Sequence, residues 1–363
     1  MSGHVAAGTE EHDVEEVTLV ARGIASAVAP ESGLTDVQAE LLGSIATALT
    51  GHVVDYHNLD PLGPDGLAQV LAPRDLGYRQ RIVHHMVLGE LVLRPIPVVV
   101  AYRVAQYAEA LGVKDDFVRV ARRYAQGAYG LAWMDLERSG FVEHVQNADG
   151  DAPLKRQAVP SERPDVDPEL EARWRAFADL PKDTLGFGVW DMYDSRGFEV
   201  PGAPGGPPPR LAQHDFVHVL ADYGTNLRGE VEVFALIGRT DPDPKGFAWL
   251  ATLVGLFETG YITSSGFFDR DVRDPVIQAP GMRVRLADGI RRGKVIAQAR
   301  DASLFDEDYH ALARVPVDEV REILGVPPKS EAALEAGSAE LCSFDGMSVT
   351  QRKTVTARRG EIT

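Results

Sequence analysis

Gln213-His214-Asp215-Phe216-Val217-His218, running on through Asp222 and Gly224 to Gly229-Glu230, is the most informative part of the chain. Placed on a helix at about 100° per residue, with His214 at zero, His218 falls near 40°, Asp222 near 80° and Asp215 near 100°. Two imidazoles and two carboxylates then share about a quarter-turn arc, while Phe216, Val217 and Leu220 point away from it into a core. Gly224 reads as the C-terminal cap, and Thr225-Asn226 as the turn and N-cap of a second helix. If that helix folds back antiparallel, Glu230 meets the polar arc across the helix pair.

Nitrogen and carboxylate donors converging in this way predict a divalent-metal site made of His214, Asp215, His218 and Glu230. Mixed imidazole and carboxylate ligands suit Zn²⁺ first, and also Fe²⁺, Mn²⁺ or Co²⁺. Histidines four residues apart also occur on ordinary solvated helix faces. The adjacent Asp215, and a glutamate just beyond a helix–glycine–helix turn, argue for the metal. Asp222, on the same arc, and Glu258 are the acids expected to support the ligands from behind.

His214-Asp215-Phe216-Val217-His218, eleven further residues and then Glu230 resembles the signature of the coenzyme Q (ubiquinone) biosynthesis protein 4 family. Leu180-Pro181-Lys182-Asp183-Thr184-Leu185-Gly186, followed by Gly197-Phe198, looks like that family's opening. Gly289-Ile290-Arg291-Arg292-Gly293 and Val320-Arg321-Glu322-Ile323-Leu324-Gly325-Val326 look like its close. The resemblance covers about residues 170–327. It implies a carbon–carbon lyase: a metal-dependent decarboxylase, with or without oxidation at the same carbon, acting on a lipophilic or prenylated aromatic acid in ubiquinone biosynthesis or a related specialised pathway. It also implies membership of a biosynthetic enzyme complex, and a homo-oligomer is expected. Residues 14–140 precede the match, and their short helices look loosely like tellurite-resistance protein B-like domains.

A second reading is a non-enzymatic scaffold that binds a lipid or quinone and holds a structural metal. A third is a phosphohydrolase, suggested by the adjacent His-Asp pair, but such a site needs a further histidine and aspartate on other helices. Arg283, Arg285, Arg291, Arg292, Lys294 and Arg300 make 282–300 a basic helix in an acidic chain. Arg291 or Arg292 is therefore the candidate to orient a substrate carboxylate; the alternative is a solvated face paired with acids.

The chain has 363 residues, 44% of them hydrophobic, with a formal charge of −17. This suits globular domains with a sizeable core and argues against nucleic acid as a partner. The single cysteine, Cys342, excludes an internal disulfide and a cysteine-based metal cluster. Its scarcity fits a reducing cytoplasm, with the protein soluble or peripheral to a membrane. No run reaches the roughly 18 apolar residues of a spanning helix. The acidic start is unlike a signal or transit peptide.

Periodicity predicts an all-α chain: a disordered 1–13, a helical bundle over 14–140, a Pro/Asp-rich linker over 141–168, a metal-binding helical domain over 169–328 and a flexible tail over 329–363. Thr35 is a good N-cap, and Pro97 sits at a helix start. Asp60 to Gly66 reads as a loop, and Gly202 to Pro209 as a surface loop or flap. His52, Asp55, His57 and Asp60 fall at a helix end, where polar residues are expected without a metal. His84, His85 and Glu90 point in different directions on one helix, so they read as bundle residues. Phe247 to Phe257 is the most apolar stretch: a core helix, or the wall of a tunnel for a greasy tail.

Overall fold

The computed structural model describes residues 13–114, 118, 119, 121, 122, 166–207, 209, 211–240, 250, 254, 276–300 and 302–360. The protein is all-α. Among the described residues the only pairing of extended backbone is an isolated bridge between Thr184 and Pro316. The first part contains α1 (Val14–Val28), α2 (Asp36–Thr50), α3 (Pro64–Val70), α4 (Leu76–Leu91) and α5 (Val98–Ala110). The second contains α6 (Pro168–Arg175), α7 (Leu185–Arg196), α8 (Gln213–Ala221), α9 (Leu227–Thr240), α10 (Met282–Ala299), α11 (Tyr309–Leu312) and α12 (Val317–Leu324). Two more, α13 (Glu331–Glu335) and α14 (Val349–Gly360), follow.

Local chemistry explains many of these boundaries. Thr35 accepts from the Gln38 amide while the Gln38 side chain reaches back to the Thr35 amide, closing a capping box on α2. Pro97 caps α5, and Thr184 caps α7 through the Phe187 amide. The expected loop over Asp60 to Gly66 instead gives way to α3 at Pro64. Proline at a first helical position hides the start of so short a helix.

α9 and α10 make the most extensive helix pair, and α10 also packs on α2. The α9–α10 seam is close because of Gly289 and Gly293. A Cβ at Gly289 would lie 2.8 Å from the Glu232 carbonyl oxygen, and one at Gly293 only 2.4 Å from that of Leu236. Across the same seam Arg285 makes a two-pronged ion pair with buried Glu232, at 3.1 and 2.6 Å. Because the neighbour at Gly293 is helix backbone, it cannot swing aside. Gly293→Ala is expected to destabilise the protein by about 1–3 kcal/mol in chemical denaturation; unchanged stability would mean that the helices are free to separate.

The two parts share one continuous core. Leu41, Leu42 and Ile45 of α2 belong to the same buried cluster as Leu236, Leu286 and Ile290. Lys294 reaches from α10 to the Leu49 carbonyl near the C-terminus of α2, at 2.6 Å, where an unpaired carbonyl and the helix dipole favour a cation. The expected linker lies outside the described residues except for its last members, 166–168. The described residues of the expected helix over 247–257 are Leu250 and Val254, both buried.

The expectation of a flexible tail over 329–363 is corrected over 329–360. Although this segment is polar on average, it buries Ala333, Leu341, Met347 and Val355. It also docks on the α8–α9 turn, where the Gly346 carbonyl accepts the Thr225 and Asn226 amides at 2.7 and 3.1 Å. The flap reading of Gly202 to Pro209 also fails for its start. Gly202 is packed against the first turn of α6, its carbonyl accepting the Asp167 amide at 2.9 Å. No helix among the described residues is long and apolar enough to cross a membrane.

Candidate metal centre

α8 buries Phe216, Val217 and Leu220, and Phe216 stacks on Tyr309 with ring centres 4.7 Å apart. This anchors the apolar face and fixes the direction of the opposite one. The helix ends two residues earlier than the Gly224 reading implies. Asp222 is the cap, in the left-handed conformation at φ 56°, a region that Asp enters more readily than most residues. Its carboxylate therefore turns from the arc and accepts the Leu341 amide at 3.0 Å, with Lys329 at 3.7 Å. Asn226 does cap α9, its side chain accepting the Gly229 amide at 3.0 Å. The turn needs glycine at 229, because a Cβ there would lie 1.8 Å from the Gly224 carbonyl oxygen.

This short connection brings Glu230 over the two histidines. Glu230 Oε1 is 3.3 Å from His218 Nε2, and Oε2 is 3.5 Å from His214 Nε2. The ligand atoms of His214, His218 and Glu230 all lie within 4.8 Å of one another. The carboxylate thus turns one oxygen to each imidazole nitrogen, a spacing that a single cation between the three groups can bridge. His218 is fully buried, and its Nδ1 faces the Tyr223 carbonyl at 3.2 Å. The Nδ1 of His214 likewise faces the Leu211 carbonyl. A backbone carbonyl can only accept, so both rings carry their proton on Nδ1 when neutral and turn the Nε2 lone pair to the centre. The Nε2 of His218 has no hydrogen-bond partner despite the nearby carboxylate. An orphaned buried nitrogen aimed at this point fits a cation.

Asp215 lies beside the group without completing it. Its Oδ1 is 3.5 Å from His214 Nε2, but its Oδ2 accepts the Tyr193 hydroxyl at 2.5 Å. The structure thus groups three of the four expected ligands and holds the fourth to a tyrosine of α7. Sequence reasoning missed Tyr193; its place in an aromatic run gave no sign of a polar role.

Charge follows from this packing. Burial opposes the His214 cation, but Asp215 and Glu230 outweigh it and lift the imidazole from 6.5 to about 9. Burial also works against the Glu230 carboxylate, yet the two histidines hold its pKa well below the usual range. Burial raises that of Asp215, and burial with the Asp215 charge raises that of Tyr193 further. Without metal, His214 is charged at neutral pH. Because its folded pKa lies above the unfolded one, its stabilising contribution is full below about pH 6.5 and fades as pH rises through about 9. A metal must displace that proton. Binding at pH 7 is expected to release about one proton per ion, with affinity rising roughly tenfold per pH unit toward pH 9. Calorimetry in buffers of different ionisation enthalpy measures this; proton-free binding would contradict it.

The other candidates are not at the centre. Arg292 is buried; it donates to the Pro327 and Ala221 carbonyls at 2.9 and 3.0 Å and lies 4.8 Å from the Tyr223 ring centre. Arg291 pairs with Asp288 at 2.8 Å and with the Pro328 carbonyl at 3.1 Å. Both expected substrate-binding arginines are thus engaged by Asp288 and by backbone carbonyls. The last carbonyls of α8 lack helical partners, and Arg292, together with Arg321 at Leu220 and Val219, supplies them. Asp222 is likewise a link to the C-terminal segment rather than a support for the ligands. Glu258 lies outside the described residues. His84, His85 and Glu90 are buried in α4. Asp55 and His57 sit on an exposed turn, where His57 faces Asp36 at 3.7 Å. Neither group is brought together around a shared point.

No protein-family model matches the chain, and neither a curated protein nor a solved structure matches it.

Proposed function

We propose that this chain is a divalent-metal enzyme, with His214, His218 and Glu230 as the ligands and Zn²⁺ the first candidate, before Fe²⁺, Mn²⁺ and Co²⁺. The observation that carries the reading is the ligand number. Three protein ligands leave a coordination position for substrate, as catalytic sites require, whereas structural zinc sites close all four. Side-chain exposures of 13% for His214 and 11% for Glu230 give that position an outlet.

The reaction we assign is the one that the family resemblance implies: replacement of a ring carboxylate by hydrogen on a lipophilic aromatic acid. A bound ion supplies Lewis acidity toward a carboxylate or phenolate. The chain supplies the proton. Loss of CO₂ leaves an electron pair on the ring carbon, and an acid must fill it. Tyr193, kept protonated by burial and by the Asp215 carboxylate that accepts its hydroxyl, is the acid beside the ligands. The same reading puts the chain in the cytoplasm, at a membrane edge beside other enzymes of its pathway.

The test is release of labelled CO₂ from a carboxyl-labelled prenylated hydroxybenzoate by metal-loaded protein, with oxygen uptake followed in parallel. Turnover that needs the metal, and that falls about 100-fold in Tyr193→Phe, supports the assignment. Oxygen uptake would mark the oxidative form. No release from protein whose metal carries four protein ligands would favour the scaffold reading instead.

A further inference from the structure

A second site lies away from the metal. α1, α2 and α4 enclose a cavity of about 100 Å³ against the ends of α9 and α10. Its walls are aliphatic, with Val20 and Ile24 from α1, Ile45 and Leu49 from α2, and Ile82 from α4. Besides Thr50, Tyr56 and Tyr78, its polar lining residues are basic in type. Arg81, His85, Arg239 and Lys294 all enter it, and no acid does among the described lining residues. Three of these, Arg81, Arg239 and Lys294, carry charge, which stands out in a chain of net charge −17.

The cations belong together. Burial first, then His84, and then Arg239 and Arg81 keep buried His85 neutral, down to about 3. Lys294 is fixed by the Leu49 carbonyl at 2.6 Å. Arg81 differs: its guanidinium lies 6.0 Å from the Tyr78 ring centre, and among the described residues it has no hydrogen-bond or ion-pair partner. The half-buried Arg81 guanidinium presents a planar fork of donors at the edge of an apolar cavity, which a carboxylate matches in shape and charge. An apolar body would fill the aliphatic space, as in most small-molecule sites.

We infer that this cavity binds a small monocarboxylic acid with an apolar aromatic or aliphatic body, its carboxylate on Arg81 and its body between α1, α2 and α4. The site shares no residue with the metal centre. Arg239 is nine positions beyond Glu230 in α9, about 13 Å along the helix axis. It therefore stands or falls independently of the proposed reaction.

The experiment is calorimetric titration of the full chain with benzoate and octanoate, and with benzyl alcohol and octanol as uncharged counterparts. At least one acid is expected to bind about tenfold or more tighter than its alcohol, the scale of a hydrogen bond to a charged group. Arg81→Met should remove that preference, Arg81→Lys should keep part of it, and Ala46→Phe, which fills the cavity, should abolish binding of acid and alcohol alike. A helical circular-dichroism spectrum and melting temperature equal to those of the parent show that each variant is folded. Equal binding of acid and alcohol, acid binding that survives both Arg81→Met and Ala46→Phe, or no binding of either acid would overturn the inference.

Discussion

Glu230→Ala and His218→Ala are expected to leave the protein without bound metal after dialysis. Among the described residues Glu230 is the one carboxylate that faces both Nε2 atoms, at 3.3 and 3.5 Å. Removing it leaves two imidazoles with only Asp215 nearby, and Asp215 is held by Tyr193. Loss of a group that merely supports a ligand weakens metal binding by about 10–100-fold, so loss of a ligand should exceed about 100-fold. Glu230→Gln is the sharper variant, since it keeps the volume and one acceptor oxygen but removes the charge. His57→Ala, at an exposed turn, should keep its metal in full. If Glu230→Ala retained metal at the level of the parent protein, the ligand set would be wrong.

Truncation after Pro328 is expected to be nearly as damaging, although it removes no ligand. The C-terminal segment closes over the turn that positions Glu230. Gln351 pairs with Thr225 twice, through its amide nitrogen at 3.0 Å and its oxygen at 2.9 Å. Arg196, buried beneath, bonds Thr225 and the Leu341 carbonyl. Gly346 lies so near the turn that a Cβ on Gly224 would come 2.4 Å from its Cα. Without the segment, a buried arginine and two turn amides lose partners, each at about 1–3 kcal/mol, against a total stability of about 5–15 kcal/mol. A fall in melting temperature of roughly 10 °C or more, or failure to fold, should result, with loss of metal in either case. A truncated chain with parental melting and metal content would show that the segment is an ornament of the fold.

Much of this was legible in the residues. The four-residue spacing of His214 and His218, the apolar Phe216 and Leu220 behind them, and Asn226 as the cap before Glu230 are local signals. Local physics honours them. The errors have local causes too. Gly224 is the usual kind of residue for a left-handed cap, so Asp222 was passed over, yet Asp222 takes that conformation and links to Leu341. Arg291 and Arg292 looked like binders of a ligand because sequence shows charge but not the unpaired carbonyls of another helix. The glycines around them mattered more, since they set the α9–α10 approach. The tail looked mobile because Leu341, Met347 and Val355 are spread among polar residues, and only long-range packing buries them. Tyr193 gains its role solely from the meeting of α7 with α8, which no periodicity reveals.

X-ray absorption at the metal edge of the purified protein tests the central claim most directly. The account predicts one ion per chain with two imidazole nitrogens, at least one carboxylate oxygen at about 2.0–2.2 Å and a remaining light-atom ligand from solvent. A chain that binds no divalent ion, or an ion whose spectrum lacks the imidazole pair, would contradict it.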